Sequence, residues 1–295
     1  MLSQYLAATV ALLLLGLSRL TSGSALGGQA VLNNGMAFPK VSFGLQVYDD
    51  EHAKQYTGLA LAAGVRNFFA SVLAGNQKGF GQALVASSVP RGDIFVCGSA
   101  NTASCSGFDD CYQQTRAACH ANLEDLGAAG GLNGYLDMIM LDYPSQDCPS
   151  IQGQWAAFEE MLLNKTTKSI AVSNFSPQQL ECIPPNATVP SVNQLPYSVG
   201  HGKDGSVEQD KEMGDILVQA YSPLGSGSVL SDQDVVRIGK AHNKSAAQVA
   251  LRWVIQRNAT FATSSRTLEH FQQDLNIFDF ELSDEEMQVL DAKTV

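Results

Sequence analysis

After residue 30 the chain alternates short β-rich runs with helical patterns, and nothing else in it constrains the fold as strongly. The strand runs fall at 40–44, 67–70, 94–97, 136–141, 169–172, 191–193, 216–220 and 261–263. Most are unbroken apolar runs, which fits strands buried on both faces better than strands with a wet side. Helical patterns lie between them at 51–63, 79–88, 109–126 and 155–163. In 245–257, Ala246, Val249, Ala250, Trp253 and Val254 recur at helical spacing and make one apolar face. A last helix over 283–292 opens on Ser283 with Glu286 three residues on, a capping box. Eight strands alternating with helices over about 250 residues predict a (β/α)8 TIM barrel. The rival, a doubly wound open sheet, needs a G-x-G-x-x-G phosphate loop after its first strand, and the sequence contains none. No internal repeat or domain-scale linker interrupts the pattern, and 200–205 is its most loop-like stretch.

Composition narrows the function classes. Acidic side chains outnumber basic ones 29 to 18, a formal charge of −11, so nucleic-acid phosphates would meet no bulk neutralisation. With 45% apolar residues the chain has the material for a core and is not disordered as a whole.

The amino terminus has a different pattern. Residues 5–17 are thirteen nearly uninterrupted apolar residues, followed by small and polar ones at 21–25. This is the layout of a secretory signal peptide cut after Ala25, leaving 26–295 as the barrel. The apolar run is shorter than the ~20 residues that span a bilayer, so no stable membrane span is expected after cleavage. No Lys or Arg precedes the run; an organelle presequence or an uncleaved signal anchor is the alternative. The expected location is therefore outside the cell or in a secretory or organelle lumen. Five Asn-x-Ser/Thr sequons, at Asn164, Asn174, Asn186, Asn243 and Asn258, matter only in that case. Six cysteines (97, 105, 111, 119, 148 and 182) permit disulfides and match no zinc spacing, so no metal is expected. Cys111 and Cys119 fall eight residues apart on one helical stretch. Helical rise separates them by about 12 Å, beyond the ~7 Å that a disulfide can bridge.

Seven motifs, in order, carry a family resemblance. They are Leu32-Asn33-Asn34-Gly35-Met36 with Pro39; Gly64-Val65-Arg66; Ala171-Val172-Ser173-Asn174-Phe175; and Val192-Asn193-Gln194. Then come Ala220-Tyr221-Ser222-Pro223-Leu224-Gly225, Ala247-Gln248-Val249-Ala250-Leu251-Arg252-Trp253 and Phe278-Asp279-Phe280-Glu281-Leu282-Ser283. Over residues 31–294 the sequence resembles the aldo-keto reductase family. The resemblance implies an N-terminal hairpin, a barrel, a C-terminal helix, and a small-molecule site at the barrel's C-terminal mouth. It also implies NADPH-dependent carbonyl reduction. A tyrosine protonates the carbonyl oxygen, a lysine stabilises the phenolate, an aspartate orients the lysine, and a histidine positions the carbonyl.

At the four positions matching those groups stand Phe69, Ala74, Ser99 and Asp142. Phe69 cannot hold a cation, Ala74 has no proton and Ser99 no charge. An ionised Asp142 would repel charge growing on a carbonyl oxygen, unless burial raised its pKa and made it a donor. Tyr143 and Lys78 are the nearby phenol and ammonium, read as a pocket wall and a solvated helix charge. The cofactor positions are better kept. Ser173, Asn174 and Gln194 match residues that bond the nicotinamide carboxamide, Tyr221 matches the ring stacked on nicotinamide, and Ser222 and Leu224 match groups along the pyrophosphate. At the adenosine end Ser265 matches, but Ser264 and His270 stand where the family has cations, and Gln273 and Asp274 replace a Glu-Asn pair. Arg266 is the remaining cation there. The expectation is a non-catalytic or strongly impaired reductase that binds NADP(H) or NAD(H) weakly, another small ligand or a protein partner. The alternative is an active oxidoreductase whose donor is Tyr143 or Asp142.

Overall fold

The computed structural model describes residues 28–128, 132–201 and 205–293; the signal-peptide reading of 1–25 lies outside the described residues. Its first strands, β1 (Gln29–Val31) and β2 (Ala37–Pro39), form an antiparallel hairpin that turns through Gly35 at φ +83°. The barrel strands are β3 (Val41–Gly44), β4 (Asn67–Ala70), β5 (Phe95–Ala100), β6 (Met138–Leu141), β7 (Ile170–Ser173), β8 (Val192–Pro196), β9 (Leu217–Tyr221) and β10 (Thr260–Thr263). All eight run parallel, and the pairing of β10 with both β9 and β3 closes the barrel. The ring of helices comprises α1 (Asp50–Ala63), α2 (Gln77–Ala86), α3 (Phe108–Gly127), α4 (Cys148–Leu163), α5 (Pro177–Leu180), α6 (Ser206–Glu212), α7 (Gln233–His242), α8 (Ala246–Gln256) and α9 (Leu268–Leu275). The chain then enters α10 (Asp284–Asp291), which opens with the capping box of Ser283 and Glu286.

Several boundaries differ from the sequence reading, and for two of them the local physical reason is plain. The fourth helix starts at Cys148, not near Trp155, because Asp147 caps it by accepting from Ser150 N at 2.9 Å, and Pro149 is harmless in a first turn. Strand β5 runs on through Gly98 and Ser99, residues with little strand preference. Gly98 is required there, since a Cβ would overlap the Asn122 side chain of α3.

Inward-facing residues recur with the period of two that a strand imposes. Phe95 and Cys97 from β5, Met138 and Met140 from β6, and Phe69, Ala171 and Val192 form a buried plug inside the barrel. Leu32 and Phe38 of the hairpin close its lower end, with Phe38 edge-on to Phe95 at 5.0 Å. One period further along the same strands the inward residues turn polar: Ser71, Ser99, Asp142 and Ser173 are all buried. That change of chemistry marks the floor of the mouth.

Two disulfides bind the mouth-side loops, Cys105–Cys111 at the start of α3 and Cys148–Cys182 from the start of α4 to the end of α5. Cys97 and Cys119 are buried free thiols. No helix among the described residues is long and apolar enough to cross a membrane.

Candidate ligand site at the barrel mouth

Asp142 is the centre of the floor. It follows β6, is 4% exposed, and donates its backbone N–H to Ala100 O at 2.9 Å. Ser99 Oγ donates to Asp142 Oδ2 at 2.9 Å, and Ser71 Oγ reaches the same oxygen at 3.4 Å. Ser99 Oγ in turn accepts from Val72 N at 2.9 Å, and Ser71 Oγ from Leu73 N at 3.2 Å, so both hydroxyls are oriented by the turn Val72–Ala74. Burial pushes the Asp142 carboxyl up to about 7, against the opposing pull of these two hydroxyls. Among the described residues it makes no salt bridge, and both hydroxyl contacts fall on Oδ2.

Above that floor lies a small cavity of about 60 Å³. Phe69 and Leu73, Asp142 and Tyr143, and the polar group Ser173, Asn174, Gln194 and Tyr221 enclose it. The polar group is one hydrogen-bonded set. Ser173 Oγ donates to Gln194 O at 2.8 Å, and Asn174 Nδ2 donates to Asp142 O at 2.9 Å and Ser173 Oγ at 3.1 Å. Tyr221 OH donates to Asn174 Oδ1 at 3.0 Å, and Gln194 Nε2 donates to Gln219 Oε1 at 2.7 Å. Burial raises the Tyr221 phenol pKa. A second cleft, of about 270 Å³, shares Phe69, Gln194 and Tyr221 with the first and continues past Ser222 and Leu224 to Ser264. Ser222 sits at φ +50°, a left-handed backbone that redirects the chain out of β9.

The far end is differently arranged. Ser265 is buried and spends its hydroxyl on Asp274 Oδ2 at 2.6 Å, while its carbonyl accepts from Tyr48 OH at 3.2 Å. Burial pushes Asp274 up to about 6. Ser264, Arg266 and His270 are exposed, and Gln273 Nε2 donates to Glu269 at 3.2 Å.

Of the four positions that the sequence reading expects to match the catalytic groups, the structure brings Phe69, Ser99 and Asp142 together. Ala74 ends the turn Val72–Ala74 and does not line the cavity. Lys78 is exposed on α2 beside a separate hollow with Gln82 and Asp125. Tyr143 forms the cavity's outer wall at 41% exposure. Sequence reasoning missed Ser71, Leu73 and Gln46. Counting two residues on from Phe69 along β4 would have found Ser71.

A closed parallel barrel with a polar cleft across its C-terminal mouth has the architecture of the (β/α)8 proteins, which as a class carry their sites at that face. The model of the Aldo/keto reductase family matches residues 35–294, and the chain belongs to that family. It is 32% identical over 274 residues to an aldo-keto reductase of Mycolicibacterium vanbaalenii, covering 92% of this chain and 94% of the relative. It is 31% identical over 267 residues to a Schizosaccharomyces pombe protein described as an uncharacterized oxidoreductase, covering 88% and 90%. A crystal structure of an aldo/keto reductase from Brucella melitensis superposes with a TM-score of 0.81 at 28% identity, covering 90% of this chain and 98% of that one.

Proposed function

We propose that this aldo-keto reductase-family barrel binds a nicotinamide dinucleotide but does not reduce carbonyls by phenol-to-carbonyl proton transfer. The observation that carries the reading is the composition of the mouth. Ser173, Asn174, Gln194 and Tyr221 form one bonded set, while the floor beside them is Phe69, Ser99 and Asp142.

The residues present fit the nicotinamide half of such a cofactor. Ser173, Asn174 and Gln194 supply amide and hydroxyl groups for a carboxamide, and Tyr221 supplies an aromatic face beside them. Ser222 and Leu224 line the continuing cleft where the phosphates would run. The adenosine end fits less well, because Ser264 at that end of the cleft offers no charge for a phosphate. A reduced nicotinamide supplies a hydride when bound. The protein's own part here is to hold and orient the ring; no phenol–ammonium pair faces the cavity among its described lining residues.

The test is a fluorescence titration with NADPH and NADH, followed by turnover with a reactive quinone or an aldehyde. Binding without turnover supports the proposal. A kcat in the ordinary range of ~1–10³ s⁻¹ overturns it. Turnover abolished by Tyr143→Phe would give the donor role to Tyr143. Turnover lost as pH rises through about 7 would give it to Asp142, the second reading that its buried carboxyl favours. We also propose export from the cytosol, which the two disulfides and the apolar amino-terminal run support.

A further inference from the structure

The floor of the mouth is built from Ser71, Ser99 and the carboxyl of Asp142, so the group it offers a ligand is acidic. A carboxyl at 4% exposure without a cationic partner holds its proton more tightly, and a cation brought beside it would favour its charged form. Asp142 lines the cavity with both of its hydroxyl contacts on Oδ2 and no salt bridge among the described residues. Aromatic rings stand around that opening: Phe69, Tyr143 and Tyr221 all line it. Faces of aromatic rings attract cations. The other titratable groups around Asp142 are these two phenols and the Cys97 thiol of β5, which burial and the neighbouring carboxylates hold protonated. None is a base or a cation that would compete for the carboxylate.

We propose that the Asp142 cavity is a binding site for a small ligand carrying a protonated amine, its ammonium on the Asp142 carboxylate and its apolar body against Leu73 and Tyr143. The cavity, about 60 Å³, holds the charged head; Leu73 and Tyr143, 48% and 41% exposed, leave apolar surface at the rim for the rest. The inference rests on the proposed function for one point only, that the mouth is the ligand site. It names the class of ligand that site takes.

The experiment is calorimetric titration of the nucleotide-free protein with benzylamine, benzyl alcohol and benzoate. Benzylamine should bind at least about tenfold more tightly than benzyl alcohol at pH ~8, and benzoate least tightly. Benzylamine affinity should be level between the Asp142 pKa of about 7 and the pH, roughly 9, at which the amine itself deprotonates, and fall about tenfold per pH unit below 7. Asp142→Asn keeps an oxygen that accepts from Ser99 and Ser71. It should abolish this pH dependence and the preference for amine over alcohol. A second measurement needs no variant beyond assignment: saturating benzylamine should lower the pH at which the Asp142 carboxyl carbon titrates by NMR. Equal binding of amine and alcohol, amine binding that ignores pH, tighter benzoate binding, or an unmoved Asp142 titration would each overturn the inference. Because nucleotide is absent from these titrations, their failure is separate from a failure to bind NADPH or NADH.

Discussion

At Asp142, burial and the proposed ligand binding act on the same proton. Its folded pKa of about 7 lies above the ~3.9 of an unfolded chain, so the folded state holds the proton more tightly. The stability this lends is complete below about pH 4, is lost as pH rises towards 7, and levels off above that. Between about pH 6 and 8 the wild type should lose on the order of 1.4 kcal/mol that Asp142→Asn does not. Denaturant midpoints of the two proteins across that range measure the difference, and parallel curves would show that Asp142 is solvated. Asp274, at about 6, titrates identically in both proteins and cancels from the comparison. The far end of the cleft, where a nucleotide's adenosine is proposed to lie, makes a second residue-scale prediction. Ser264 and His270 are exposed and Ser265 is committed to Asp274, so NADPH and NADH should bind with little discrimination. Each charge-assisted bond contributes about 1.5–3 kcal/mol, and Ser264→Lys with His270→Arg should raise NADPH affinity selectively. A wild type that already prefers NADPH by about a hundredfold, some 2.7 kcal/mol, would sink this account of the loop.

Elements are held together by close backbone approaches that the sequence states only in part. In α4, Gly153 faces α3, where a Cβ would overlap the Phe108 carbonyl; Gly79 of α2 meets the Asp50 carbonyl of α1 in the same way. Gly153→Ala should therefore cost roughly 1–3 kcal/mol despite the better helix propensity of alanine, read as a lower melting temperature. A neutral or stabilising result would mean that the α3–α4 contact relaxes freely. The same residues explain what was legible in the sequence. Unbroken runs such as Met138–Leu141 and the striped face of α8 declare themselves, because periodicity is local. Pro149 and Gly153 look like helix breakers until it is known that one lies in a first turn and the other against a neighbouring backbone. The candidate site divides likewise. Ser173, Asn174, Gln194 and Tyr221 sit in recognisable motifs, and the structure gathers them. The Ser71–Asp142–Ser99 cluster depends on the mutual register of three strands, which no single stretch of sequence contains.

For the molecule as a whole, the disulfides and the sequons follow the two ends of the barrel. Both disulfides tie loops on the mouth side, and Cys148–Cys182 closes a loop with a sequence separation of 34. Replacing that pair by serine should cost about 2–4 kcal/mol, a loss that a reducing compartment would impose on the native chain as well. Asn164 ends α4 and Asn258 follows α8, in connections leading into β7 and β10, at the end opposite the mouth. Asn186 precedes β8 and Asn243 ends α7, and all four asparagines are exposed. Glycans there would leave the cleft open. Asn174 is the exception. It lies at the mouth, half-buried, with its amide bonded to Asp142 O and Ser173 and its oxygen to Tyr221. We propose that the mature chain begins near Leu26 and carries glycans on Asn164, Asn186, Asn243 and Asn258 but not on Asn174. Mass spectrometry of intact protein and of its glycopeptides from the native source tests both halves together. An unprocessed Met1 on the soluble protein would end the export proposal, and a glycan on Asn174 in folded protein would show that its side chain does not face the cavity. Enzymatic removal of the four glycans should leave NADH affinity unchanged, because none of the four asparagines lines either cleft.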